Sequence, residues 1–251
     1  CALPILEHLI EEGYLCPLVG YRIKTDTDIS EVGTNEGDYV QSQLEDAIDN
    51  PSRNATIVAA YNDLVPGHKA IVFAAGIQHA NNLALSFRQA KISTEVILGE
   101  TEADTRKTIL ENFKEGRTSV IINVGVLTEG FDEPSVEAIL LARPTRSTLL
   151  YTQIVGRGTR LFEGKEHCMI IDIADTTKGK KPIGLPTLLG LPAEFDLEGQ
   201  SLTDIADEFE KLKETAPGEA IHVLNMDDIQ NAYKRIDLFM PPPPNPAVLE
   251  H

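Results

Sequence analysis

Five short apolar runs, rich in β-branched and small residues, recur through the middle of the chain at residues 70–74, 94–98, 119–124, 138–142 and 168–173. They are continuous rather than alternating, so each predicts a strand buried on both faces. Helix-covered parallel sheets have such strands. Helical patterns lie between them. Residues 78–90 set Leu83, Phe87 and Ala90 on one stripe, and residues 102–114 set Ile109, Leu110 and Phe113 on one face, with Gly116 as a stop. Residues 149–155 make a shorter third helix. Strands alternating with helices imply βαβ units with right-handed crossovers, hence an α/β fold.

The segments on either side read differently. Residues 1–68 predict a helix over 3–12, an extended arm or strand over 15–23 and an exposed loop over 25–38. A mostly helical stretch follows over 40–64, interrupted at Asn50-Pro51. After residue 175 the reading is a loop, a helix over 202–213, another over 226–236 and a polyproline tail at Pro241–Pro244. The expected organisation is therefore a flank at 1–68, a core domain at 69–175 and an accessory extension at 176–251.

Charge follows the same division. The 251 residues carry a formal charge of −17, which argues against a nucleic-acid binder. By segment the charge is −9, −2 and −6, so the core is near neutral and carries seven arginines. Acidic flanks serve solubility, or they leave the core free to handle an anionic ligand. No apolar run reaches the ~18 residues that a membrane helix needs. Three scattered cysteines, Cys1, Cys16 and Cys168, fit neither a disulfide framework nor a zinc site, so a reducing, cytoplasmic setting is expected. A chain that opens on Cys1 and closes Leu249-Glu250-His251 is expected to be an excised fragment.

Most catalytic signatures are missing. There is no GxxxxGK[ST]; the nearest approach, Gly158 to Gly164-Lys165-Glu166, has one residue too many and ends on a carboxylate. Gly156-Arg157-Gly158 starts like a dinucleotide fingerprint, but Leu161 holds its third glycine position and the run precedes a strand. Residues 169–172 end on Asp172, which could hold Mg²⁺ or simply cap a neighbouring element. HExxH, GxSxG and Cys/His clusters are absent. By itself the chain is expected to be inactive.

Two segments of the core do carry chemistry. Residues 127–134 (LTEGFDEP) follow the strand at 119–124, and residues 153–160 (QIVGRGTR) precede the strand at 168–173. Arg157 and Arg160, three apart, would project to one side of a helical turn. Their planar guanidinium groups suit phosphate oxygens, and Gly156 and Gly158 would let backbone approach closely. Surface pairing with Glu163 or Glu166 is the alternative.

Residues 69–175 resemble the second RecA-like domain of superfamily 2 helicases and translocases. Lys69–Phe73 is similar to that family's motif IV strand, 99–116 to the next strand end and helix, 127–134 to motif V and 153–160 to motif VI. The wording of the last two resembles the type III restriction (ResIII-like), excision-repair and DEAH-like branches. The DEAD-box RNA branch writes Arg where this chain has Ile154, which favours DNA over RNA.

The resemblance implies a RecA-like parallel sheet sandwiched by helices, without its own P-loop. It implies that Arg157 and Arg160 are arginine fingers, and that Gly130, Asp132, Gln153 and Gly156 lie at an ATP site. Thr128 and Gly99 would contact a nucleic-acid backbone. Turn formation by Asp132 and helix capping by Gln153 are the plainer roles. ATP and Mg²⁺ would be held mainly by an N-terminal RecA-like ATPase domain of the same parent chain, and no membrane partner is expected. A non-catalytic RecA-like binding or regulatory module is the competing function.

Overall fold

In a computed structural model, residues 8–127, 133–178 and 182–239 are described, with side chains to residue 233. Residues 8–11 are helical, and eight strands and nine further helices follow in chain order among the described residues. The first part comprises β1 (Leu18–Asp28), β2 (Thr34–Asn35), β3 (Asp38–Tyr39), α1 (Gln41–Ile48) and α2 (Pro51–Leu64). The core supplies β4 (Ala70–Phe73), α3 (Ile77–Gln89), β5 (Thr94–Ile97), α4 (Ala103–Lys114) and β6 (Val120–Asn123). It continues with β7 (Ala138–Leu141), α5 (Thr148–Val155) and β8 (Cys168–Thr176). The rest holds α6 (Leu185–Leu188), α7 (Leu202–Thr215), α8 (Pro217–Ala220) and α9 (Met226–Phe239).

One six-stranded sheet runs in the order β1-β8-β7-β4-β6-β5, and every pairing in it is parallel. The five apolar runs are its inner strands and one edge. Each residue of β4, β6 and β7 is buried, as expected where helices cover both faces. Ile71, Phe73, Ile121 and Ile139 face α4, α5 and the C-terminal helices, whereas Val72, Ile122 and Leu140 face α2 and α3. The result is a RecA-like α/β sandwich.

The sheet does not begin at residue 69, because its outer strand is β1. The extended arm expected at 15–23 is a strand reaching Asp28, paired with β8 from Leu18↔Cys168 to Lys24↔Ala174. Its second half is Lys-Thr-Asp-Thr-Asp, polar enough to read as loop. An edge strand pairs through its backbone and needs no apolar run there. The remainder of the expected loop contains the β2–β3 hairpin, turned by Glu36 (φ 50°) and Gly37 (φ 89°).

Both flanks are locked to the core. The Arg53 guanidinium on α2 donates to both carboxylate oxygens of Asp175 on β8, at 2.7 and 2.8 Å, with both side chains fully buried. Asp175 also accepts from the Thr25 hydroxyl at 2.6 Å. Asn50 caps α2 by accepting from the Arg53 amide at 2.9 Å, and Pro51 opens the helix. This cap is the interruption expected there. The C-terminal extension lies against Gly20 of β1, where a Cβ would stand 2.7 Å from Leu197 and Leu202 carbons. The Gly199 amide donates to the Gly20 carbonyl at 3.0 Å. The polyproline tail lies outside the described residues.

Candidate functional site

The helix α5 is short and apolar, and it buries Tyr151, Ile154 and Val155 against the sheet. Ser147 starts it by accepting from the Leu150 amide at 3.2 Å. It stops at Val155; a last helical bond, Gly156 N–H to Thr152 (2.9 Å), and two tight-turn bonds, Arg157 N–H to Ile154 (3.0 Å) and Gly158 N–H to Val155 (3.0 Å), close its end. The chain then presses onto the sheet. A Cβ on Gly158 would lie 2.4 Å from the Cys168 sulfur and 3.3 Å from Ile139, so only glycine fits. Thr159 is buried; its hydroxyl donates to the Gly156 carbonyl at 2.9 Å and its own carbonyl accepts from the Cys16 amide at 2.7 Å.

This geometry corrects the expectation that both arginines share a helical turn. Arg157 stands on the turn, half-buried, whereas Arg160 is exposed on the non-helical stretch beyond it. The contact of Gly158 with β7 and β8 pulls the chain off the helical path between them. Gln153 is half-buried on α5, and Gly156 closes that helix in a right-handed conformation (φ −59°, ψ −17°).

Thr128, Gly130 and Asp132 lie outside the described residues. The chain on either side of them is placed. Leu127 is buried just beyond the C-terminal end of β6, and its amide donates to Asn123 Oδ1 at 3.4 Å. Val136 is buried just before β7, and both pack in the same cluster as Tyr151, Ile154 and Val155. The described residues on either side of the segment therefore lie on the face of the sheet that α5 covers.

Gly99 follows β5 and lines a shallow cleft of about 660 Å³ with Thr101, Arg106, Lys107, Lys114 and Glu133. A Cβ there would approach no atom closer than 3.9 Å, so packing does not demand glycine at this point. Arg106 Nη2 donates to the Leu98 carbonyl at 3.0 Å and fixes the strand end. The structure thus brings Gly99 beside the start of the 127–134 segment. The loop 156–160 sits instead at the opposite end of the strands, beside that segment's exit.

Two side chains escape sequence reasoning. Lys165 Nζ donates to the carbonyls of Gly158 (2.8 Å), Arg160 (3.0 Å) and Pro134 (3.4 Å). Asp38, on the β2–β3 hairpin, accepts from Arg143 Nη2 (3.0 Å), the Thr145 hydroxyl (2.8 Å) and the Arg146 amide (2.7 Å). It thereby holds the loop that leads into α5. Their partners are mostly backbone groups and residues remote in sequence, which no local pattern records.

Asp172 takes the capping role. Its Oδ2 accepts from the Leu185 amide at 3.3 Å, at the start of α6, and burial pushes its carboxyl up to about 6. Among the described residues no group of three or more His, Cys, Asp or Glu is arranged to hold a metal ion.

Residues 53–161 match the helicase conserved C-terminal domain family. The chain is 33% identical over 206 residues to the Saccharomyces cerevisiae protein assigned as the ATP-dependent helicase IRC3, across 76% of this chain and 28% of that protein. It is 38% identical over 121 residues to the Schizosaccharomyces pombe protein assigned as a mitochondrial ATP-dependent helicase, covering 48% of this chain and 20% of that one. A type I restriction enzyme EcoKI endonuclease subunit of Escherichia coli is 33% identical over 113 residues, which are 40% of this chain and 10% of that subunit. The chain thus spans less than a third of the length of each of these relatives.

Proposed function

With residues 53–161 forming the C-terminal RecA-like domain of a superfamily 2 helicase, we propose that this chain supplies half of an ATP-driven nucleic-acid motor, acting on DNA rather than RNA. The observation that carries the reading is the loop 156–160. It is seated on β7 and β8 through Gly158, tied to Cys16 through Thr159 and clamped by Lys165, so Arg157 and Arg160 rise from a fixed base. Preorganised cations of this kind stabilise charge without reorganising during reaction.

The donor set fits the phosphate end of a nucleotide and not the metal. Two guanidinium groups can meet phosphoryl oxygens, while the carboxylates that would hold Mg²⁺ and the P-loop are assigned to an N-terminal RecA-like domain of the parent chain. ATP, when bound with Mg²⁺, supplies the phosphoryl group whose hydrolysis drives the cycle. Arg157 and Arg160 act as arginine fingers, a device worth roughly 10³–10⁵ in rate in related NTPases. Gln153 and Gly156 shape the approach to the nucleotide, with Gly130 and Asp132 beside it. Thr128 and Gly99 touch the sugar-phosphate backbone, which positions a strand without reading its sequence. Closure of two lobes on ATP, and their release afterwards, would move that strand through differential affinity.

The preference for DNA rests on Ile154, which stands where the DEAD-box RNA branch writes Arg. The test is ATP turnover by the parent protein with duplex DNA, single-stranded DNA and RNA compared. Stimulation by DNA above RNA is expected. Stimulation by RNA alone would overturn the choice of substrate, and turnover indifferent to every nucleic acid would overturn the motor.

A further inference from the structure

Lys165 belongs to the run that most nearly imitates a phosphate-binding P-loop, yet its ammonium faces backbone. Gly164 takes φ +81°, and the Lys165 amide donates to the Phe162 carbonyl at 3.1 Å, so residues 162–165 form a tight turn. The turn folds the Lys165 side chain back under the preceding loop. There its three N–H donors meet three carbonyls: Gly158 and Arg160, in the second half of the loop, and Pro134, at the exit of the 127–134 segment. A primary ammonium has three donors and no acceptor, so the cage uses its full capacity.

We propose that Lys165 is a positioning residue: its ammonium ties the loop bearing Arg157 and Arg160 to the segment around Pro134, and so sets where the two guanidinium groups stand. The inference rests on the motor function proposed above. Its physical content is that the carbonyls of Gly158 and Arg160, on either side of Thr159, are held by one cation. Removing that cation leaves Gly158 and Thr159 seated on the sheet and frees the stretch around Arg160. It also disconnects two segments that would face the same nucleotide. A displacement near 1 Å at a reacting group costs up to about a hundredfold in rate, so the effect belongs in turnover more than in binding.

The experiment compares Lys165→Met, Lys165→Arg and Arg157→Ala in the full-length parent by steady-state ATP turnover. Lys165→Met is expected to lower kcat roughly ten- to hundredfold while KM for ATP stays within about twofold. Lys165→Arg, which keeps a cation with several donors, is expected to recover most of the loss. Hydrogen exchange on the 251-residue chain gives a readout independent of activity: in Lys165→Met, the amides of Arg160 and Leu161 should exchange faster while those of β4, β6 and β7 keep their protection. Faster exchange throughout the sheet would make Lys165 a general stabiliser and overturn the proposal. Loss of turnover in Arg157→Ala with none in Lys165→Met would overturn it alone, whereas normal turnover in Arg157→Ala would overturn the motor reading itself.

Discussion

Gly158 shows how little freedom the loop has at the level of single atoms. One added carbon would stand 2.4 Å from the Cys168 sulfur, at the first residue of β8. Gly158→Ala must therefore lift the loop or displace the sheet, at a cost of about 1–3 kcal/mol. A lowered urea midpoint with an unchanged m-value would show it, and an unchanged midpoint would mean that the contact is soft. Cys16 and Cys168, whose positions suggest no pairing, are both free and buried. Burial pushes the Cys168 thiol up to about 12, so it acts as packing rather than as a nucleophile. His79 behaves similarly: burial and the nearby Arg53 push it down to about 3, and its Nδ1 accepts from the Ala75 amide at 3.2 Å.

Among the elements, β8 joins most of the structure, and Asp172 lets its junction with the C-terminal extension be tested. Its carboxyl titrates near 6 when folded, against an ordinary value of 3.8, so the native state binds more protons between those values. Stability attributable to this group therefore falls as pH rises from about 4 to 6 and stays lower above that. Asp172→Asn keeps an acceptor for the Leu185 amide and removes the titration. Relative to the natural chain it is expected to gain stability between pH 5 and 7.5 in denaturant unfolding. A difference that does not change with pH would contradict this. The inner strands were legible because β4, β6 and β7 are buried on both sides and declare it by composition. The end of β1 was not legible, because an edge strand is held by backbone pairing that its polar side chains do not report. The arginines of the site were legible as a pair but not as a geometry, since the departure from helix after Val155 depends on a contact between Gly158 and a residue ten positions later. Lys165 and Asp38 were illegible for a related reason: several of their partners are carbonyls or amides, and sequence does not distinguish one backbone group from another.

At the scale of the whole molecule, the charge of −17 loses its force as an argument against a polyanion. Part of the flanking acidity is spent inside the fold. Asp38 holds Arg143 and the Arg146 amide, and Glu45 accepts from the His79 amide at 2.9 Å near the start of α3. Arg22 of β1 lies 3.6 Å from Glu194 of the C-terminal extension, so the two flanks also meet each other. The core that remains is close to neutral, which suits a proposed groove that must release its strand each cycle, because tight electrostatic binding would oppose movement. On the proposed function, the loop at 156–160 completes an ATP site shared with another lobe. The most direct test of this claim is the kcat and ATP affinity of the parent protein with Arg157→Ala. The predicted result is a fall in kcat of about 10³-fold or more with ATP affinity nearly unchanged. Unchanged kcat, or a loss confined to ATP binding, would contradict it.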